Sequence, residues 1–209
     1  LNPAPIINIL QMTIETLLAL SVKHDTTADV QRLLDLGANP DFNNAKALTT
    51  AMFYGNSEMI SSLASNKVSD VNILSVFDIC QTYGLKDVAE ILLKNMLKQD
   101  RKDLAAYLLK SSELKFSNEL YDELFDIAVK INNNSFAVTL AYYYGVDIDR
   151  NSRSLIKSIV SDPNGDLENL SNYFHSEGNM FADIDDLINL ATNEGVNTVL
   201  RIMKDKYCK

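Results

Sequence analysis

Glycine and proline are scarce in this chain, with 7 and 4 among 209 residues. Apolar residues run in threes and fours instead of alternating. Both features predict an all-helical protein with few strands. Cysteine is rarer still: Cys80 lies within an apolar helix-like segment and Cys208 beside the C-terminus. Two cysteines so placed exclude a disulfide framework and point to a reducing cytoplasm. Basic residues are outnumbered, 19 Lys and Arg against 28 Asp and Glu, for a net charge of −9. That balance repels phosphate backbones, so the expected partner is a basic, mixed or largely apolar protein and no nucleic acid. No Lys or Arg precedes Lys23, and polar residues interrupt the apolar start. A signal peptide or membrane span is therefore not expected, and the segment reads as a capping helix from about Ile6. A first residue of Leu instead of Met suggests an excised domain or a processed product.

The chain does have enough apolar residues, 46%, to bury a sizeable core as one domain. It also has a recurring helix ending. "RLLDLGANPDFN" breaks at Gly37, and comparable breaks follow at Val68, Ser112, Gly145 and Gly178. The steps between these landmarks are 31, 44, 33 and 33 residues. A residue just past a helix C-terminus commonly turns left-handed, which Gly does without steric cost. Val68 and Ser112 should therefore end their helices differently. The long step contains three apolar-periodic segments, about 73–83, 86–98 and 101–111, where one helix pair would fit. Further helix–helix turns are expected at Gly55, at Gly84, at Asn132–Asn134, at Asp162–Gly165 and around Glu194–Gly195.

The 33-residue step, the "LL…GA" ending and "KALTTAMFYGNSEMISSL" together resemble the ankyrin-repeat family. In that stretch Leu48 falls at the Leu of the Thr-Pro-Leu-His pattern, Thr49 at its His, Ala51 at its Ala and Gly55 at the turn. In "SVFDICQTYGLKDVAEILL", Phe77, Cys80 and Gly84 fall likewise. Ala47 stands where Pro would, and no complete Thr-Pro-Leu-His occurs. The resemblance implies an all-α, ankyrin-like helical solenoid of five to six divergent repeats with a capping N-terminal helix. It forms a single domain over 1–209, with repeats at 13–44, 45–73, 74–117, 118–150, 151–183 and 184–207. Generic helical repeats such as HEAT remain an alternative.

The family places its contact residues just before the interhelix Gly and on the projecting loops. By that resemblance Phe53, Tyr54, Thr82, Tyr83 and the loop residue Phe42 line a concave partner-binding surface, and Lys23 and His24 take the equivalent place in the first unit. Exposed aromatics there would act as anchors, since they lose large apolar area at little side-chain entropy. Packing against the neighbouring repeat is their other use. Tyr142, Tyr143 and Tyr144 end a second helix, with at least one expected inside.

Chemistry-bearing patterns are few. Cys80 with His24 or His175 could in principle make a nucleophile and base, yet Cys80 occupies the small core position of its helix. "DIDRNSRSLIKS", from Asp147, begins like a calcium loop but has Ser152 for the turn Gly and Ser158 for the bidentate Glu. "GLKDV" lacks the glycines of a phosphate loop. The acidic turns "DPNGDLE" and "DIDD" suit helix N-termini. The expected function is accordingly a protein–protein interaction module, not an enzyme, with no cofactor or metal, as a monomer or part of a hetero-complex. Abundant Asn and weak consensus resemble ankyrin proteins of intracellular bacteria and large DNA viruses, which implies an effector acting on a host protein in the host cytosol. The competing readings are an acidic nucleic-acid mimic that inhibits a basic enzyme and a Cys-dependent enzyme.

Overall fold

The computed structural model describes residues 4–147, with side chains from Ile14 onward save that of Tyr142. Among them every regular element is an α-helix. The helices are α1 (Ala4–Lys23), α2 (Thr27–Asp35), α3 (Phe42–Tyr54), α4 (Ser57–Ala64), α5 (Asp70–Tyr83), α6 (Lys86–Lys98), α7 (Lys102–Ser111), α8 (Asn118–Lys130) and α9 (Asn134–Tyr144). The chain groups into two compact units, Leu1–Phe116 and Ser117–Lys209. The expected turns at 162–165 and 194–195, the break at Gly178, and the expected repeats 151–183 and 184–207 lie outside the described residues. So do His175 and Cys208. No helix among the described residues is long and apolar enough to cross a membrane.

In the first unit α1 packs on α2 and α3, α3 on α4 and α5, and α5 on α6 and α7, while α4 touches α2 and α6. The reason lies in the stripes. α4 buries Met59, Ile60 and Leu63, and α6 buries Val88, Ala89, Leu92, Leu93 and Met96, each at helical spacing. Leu48, Ala51, Phe77 and Cys80 supply the facing side from α3 and α5. Cys80 and Met52 bring their sulfurs to 3.6 Å inside this core.

Local chemistry sets the ends. Asn56, Ser69 and Ser117 cap α4, α5 and α8 by accepting from the amides of Met59, Asn72 and Leu120. The chain turns left-handed at Asp25, Gly55 and Gly84, between the helices of successive pairs and 30 and 29 residues apart. Gly55 and Gly84 have φ of 70° and 66°, a region where a Cβ is penalised. At Asp25 a short polar side chain tolerates it. Val68 and Ser112 do end differently: Val68 is buried, and Ser112 leaves α7 extended at φ −71°, ψ 133°.

The three apolar segments of the long step are α5, α6 and α7. α7 rests on both α5 and α6, so the added element is a third helix laid beside a pair. Three details depart from expectation. The capping helix and the first helix of the first repeat are one helix of 20 residues, α1. Leu33, which the "LL" ending of "RLLDLG" places at a buried second-helix position by the ankyrin resemblance, is only half-buried, because α2 turns Val30 and Leu34 inward instead. Phe42 belongs to α3, not to a free loop, but Asn43, Asn44 and Ala45 follow with φ between 51° and 57°. The first turn of α3 thus winds the wrong way and right-handed helix begins at Lys46.

In the second unit α8 and α9 pack as a pair, joined through Asn132 at φ 57° and capped by Asn133, which accepts from the Phe136 amide. Leu124, Phe125, Ala128, Ala137 and Leu140 are fully buried. Tyr144 is half-buried and stacks on Tyr121 with ring centroids at 4.6 Å, whereas Tyr143 points outward.

Candidate functional site

Two polar links in the first unit show which turns are neighbours. The Asn56 amide donates to the Asp25 carboxylate at 2.6 Å, joining the α1–α2 turn to the α3–α4 turn. The Glu113 backbone N–H donates to the Gln81 side-chain oxygen at 2.8 Å, joining the stretch after α7 to the end of α5. Between them, Phe53 and Tyr83 meet with ring centroids at 6.0 Å and planes at 77°.

Phe53 and Tyr83 get there by equivalent routes. Each stands two or one residues before a left-handed Gly that stops its helix, and α3 lies against α5. They remain 61% and 64% exposed despite touching. An edge-to-face pair stabilises itself modestly, yet most of both rings faces water. Tyr54 is exposed beside them at 56%. Thr82 is exposed too, but its hydroxyl donates back to the Asp78 carbonyl at 2.9 Å, so it offers mainly its methyl group and an acceptor. Lys23 and His24 are exposed at the end of α1.

Phe42 is not part of this cluster. It stands at the opposite end of α3, ~16 Å from Phe53 by helical rise. There it lines a separate cleft of about 150 Å³ with Glu15, Asn39 and Lys46. The structure thus brings Phe53 and Tyr83 into contact, leaves Tyr54 and Thr82 exposed next to them in sequence, and places Phe42 elsewhere. Exposed Leu17 and Leu20 on α1 and Tyr107 on α7 were missed by sequence reasoning. In α1 the apolar run is too continuous to reveal which side faces out. For Tyr107, the period of α7 places it off the Ala105–Leu108–Leu109 stripe, a signal that was available.

A cleft of about 450 Å³ lies where α4 ends, between Asn66, Lys67 and Arg101. Its polar groups are already engaged in architecture. Arg101 donates to the Val68 carbonyl at 2.9 Å and pairs with Asp70, and Gln99 donates to the Ala64 carbonyl. Nearby, the Asp41 carboxylate accepts from the Ser69 amide, the Ser69 hydroxyl and Asn72. Partial burial pushes its pKa up, but the hydrogen bonds from Asn72 and Ser69 prevail and hold it below the usual 3.8.

Cys80 is fully buried, and desolvation pushes its thiol up to about 12. Such burial disfavours the thiolate, the nucleophilic form, at neutral pH. Among the described residues no group of His, Cys, Asp and Glu is arranged to hold a metal ion. The stretch from Asp147 that only begins like a calcium loop runs beyond the described residues. Comparison of the chain with protein-family models, curated proteins and solved structures finds no match.

Proposed function

We propose that the chain is a protein-interaction module of ankyrin-like solenoid design, whose first unit holds a protein partner at Phe53, Tyr54, Thr82 and Tyr83. The single observation that carries this is the Phe53–Tyr83 pair: two large rings from helices about thirty residues apart, brought into contact and left mostly in water. Isolated exposed aromatics need no explanation, but clustered ones are the usual anchors of an interface. The solenoid reading is supported by the side-chain links of the first unit, which join residues 28 to 35 apart in sequence, among them Asp25 to Asn56, Asp41 to Asn72, Val68 to Arg101 and Gln81 to Glu113. Links between nearest neighbours, about one repeat apart, are how repeat proteins are held together.

A second reading, the acidic mimic, draws on α8, where Glu119, Asp122, Glu123 and Asp126 recur on successive turns. It moves binding to α8 and makes it indifferent to Phe53. The test is photocrosslinking from residue 53. A benzophenone side chain replacing Phe53 should capture a discrete protein partner in an extract of the source cell or its host. The same group at the exposed Val71, at the opposite end of α5, or at Tyr143 should not. Capture from all three positions alike contradicts the proposal.

A further inference from the structure

We propose that the Phe53–Tyr83 corner seats the guanidinium of an arginine in a basic segment of the partner. This deepens the function proposed above and rests on it.

Charge singles out that ligand. The rim that carries the corner also carries Asp25, Asp29, Glu58, Asp87 and Glu113, all exposed. Lys23, Lys86 and Lys115 oppose them, and Lys86 is itself 3.9 Å from Glu90. Residues 1–116 as a whole hold 13 acidic and 11 basic residues. Five of those 13 acidic residues and three of the 11 basic ones thus stand at helix ends and turns of this kind, so carboxylates outnumber lysines there. Asp29, Glu58 and Asp87 stand in the first turns of α2, α4 and α6, where the helix dipole favours them. Asp25 is tied to the next turn by the Asn56 amide, whereas the Glu113 side chain stands outside any helix.

The rings select the cation. Two planes at 77° form an open corner, and a flat guanidinium can lie on one ring face while its N–H groups reach past the other toward a carboxylate. A cation within about 6 Å of a ring centroid is attracted by the ring quadrupole. Arginine does this better than lysine, because it is weakly hydrated and stacks through its plane. A purely apolar segment would fill the corner but leave the carboxylates without a counter-charge. A phosphate or a second copy of this chain, of the same negative sign, would be repelled.

The probe is a fluorescent ten-residue peptide of alternating Arg and Gly, titrated against the full chain by anisotropy, beside the same peptide with citrulline for arginine. Generic attraction to an acidic protein is separated from ring recognition by Phe53→Leu/Tyr83→Leu, which keeps the charge and much of the apolar bulk but removes both π faces. The proposal expects the citrulline peptide to bind at least tenfold more weakly. It expects the double Leu variant to lose about fivefold for the arginine peptide, in line with exposed cation–π contacts. Asp87→Asn/Glu113→Gln should weaken binding further at low salt than at high salt. Equal affinity of wild type and the double Leu variant for the arginine peptide overturns it, as does equal affinity for arginine and citrulline. A partner that depends on Phe53 but binds unchanged after its arginines are replaced by glutamine overturns the arginine assignment alone. A partner indifferent to Phe53 and Tyr83 removes the interaction surface as well.

Discussion

The Asn72 side-chain amide donates to the Asp41 carboxylate at 2.6 Å across 31 residues of sequence. Asp41 closes the loop before α3, Asn72 opens α5, and Ser69 adds its amide and hydroxyl to the same oxygen. One carboxylate thus ties one pair of helices to the next. Asp41→Ala leaves three donors without their acceptor and should cost about 1–2 kcal/mol in urea unfolding. The effect should depend on pH. Because the folded pKa lies below 3.8, the contribution is fully present above that value and fades as pH falls through the folded pKa. Asp41→Asn should flatten this acid dependence. An unchanged acid limb would mean that the carboxylate is not held by these donors.

Gly55 and Gly84 offer a second test. Nothing lies within 4 Å of a Cβ added at either position, so only the left-handed backbone opposes a side chain. Gly55→Ala and Gly84→Ala should each cost about 1–2 kcal/mol, and Gly→Asn clearly less. Equal losses for Ala and Asn would point to a steric cause that the structure does not contain.

Leu140 is fully buried, and Leu34 nearly so. Leu140→Ala and Leu34→Ala should destabilise by about 2–5 kcal/mol, the range for emptied leucine sites. Leu33→Ala, at a half-buried position, should fall well below both. A larger loss at Leu33 than at Leu34 would reverse the assigned face of α2.

Much of this architecture was legible because helix stops are chemically specific. A left-handed Gly cannot be exchanged freely, so Gly55, Gly84 and Gly145 announced their turns. The apolar period likewise marked α5, α6 and α7 almost to the residue. What escaped notice was rotation and handedness. "RLLDL" offers adjacent leucines to a short helix, and which one turns inward depends on the packing of α1 and α4 against it. Nothing in "DFNNAKAL" announces three successive left-handed residues, although Asn tolerates one such turn. The exposed cluster was half legible: position relative to Gly55 and Gly84 located Phe53 and Tyr83, while Phe42 was grouped with them through family analogy and lies at the far end of α3.

With its pKa at about 12, the buried Cys80 thiol should react with a disulfide reagent at pH 8 only through opening of the fold. In a Cys208→Ser background the native protein should modify slowly, and one thiol should appear at once in denaturant. Stability should also fall between pH 9 and 12, where the unfolded thiol ionises and the folded one does not. Fast native reaction would revive a chemical role for Cys80.

The central claim is that Phe53 and Tyr83 serve binding and not folding, and a Phe53→Ala/Tyr83→Ala variant separates the two. The melting curve and circular dichroism of this variant should stay close to wild type, since most of both rings already faces water. Titration against the partner captured at residue 53 should then show a loss of about 2 kcal/mol or more, the mark of anchor residues. Unchanged affinity in a variant that remains folded would contradict the account.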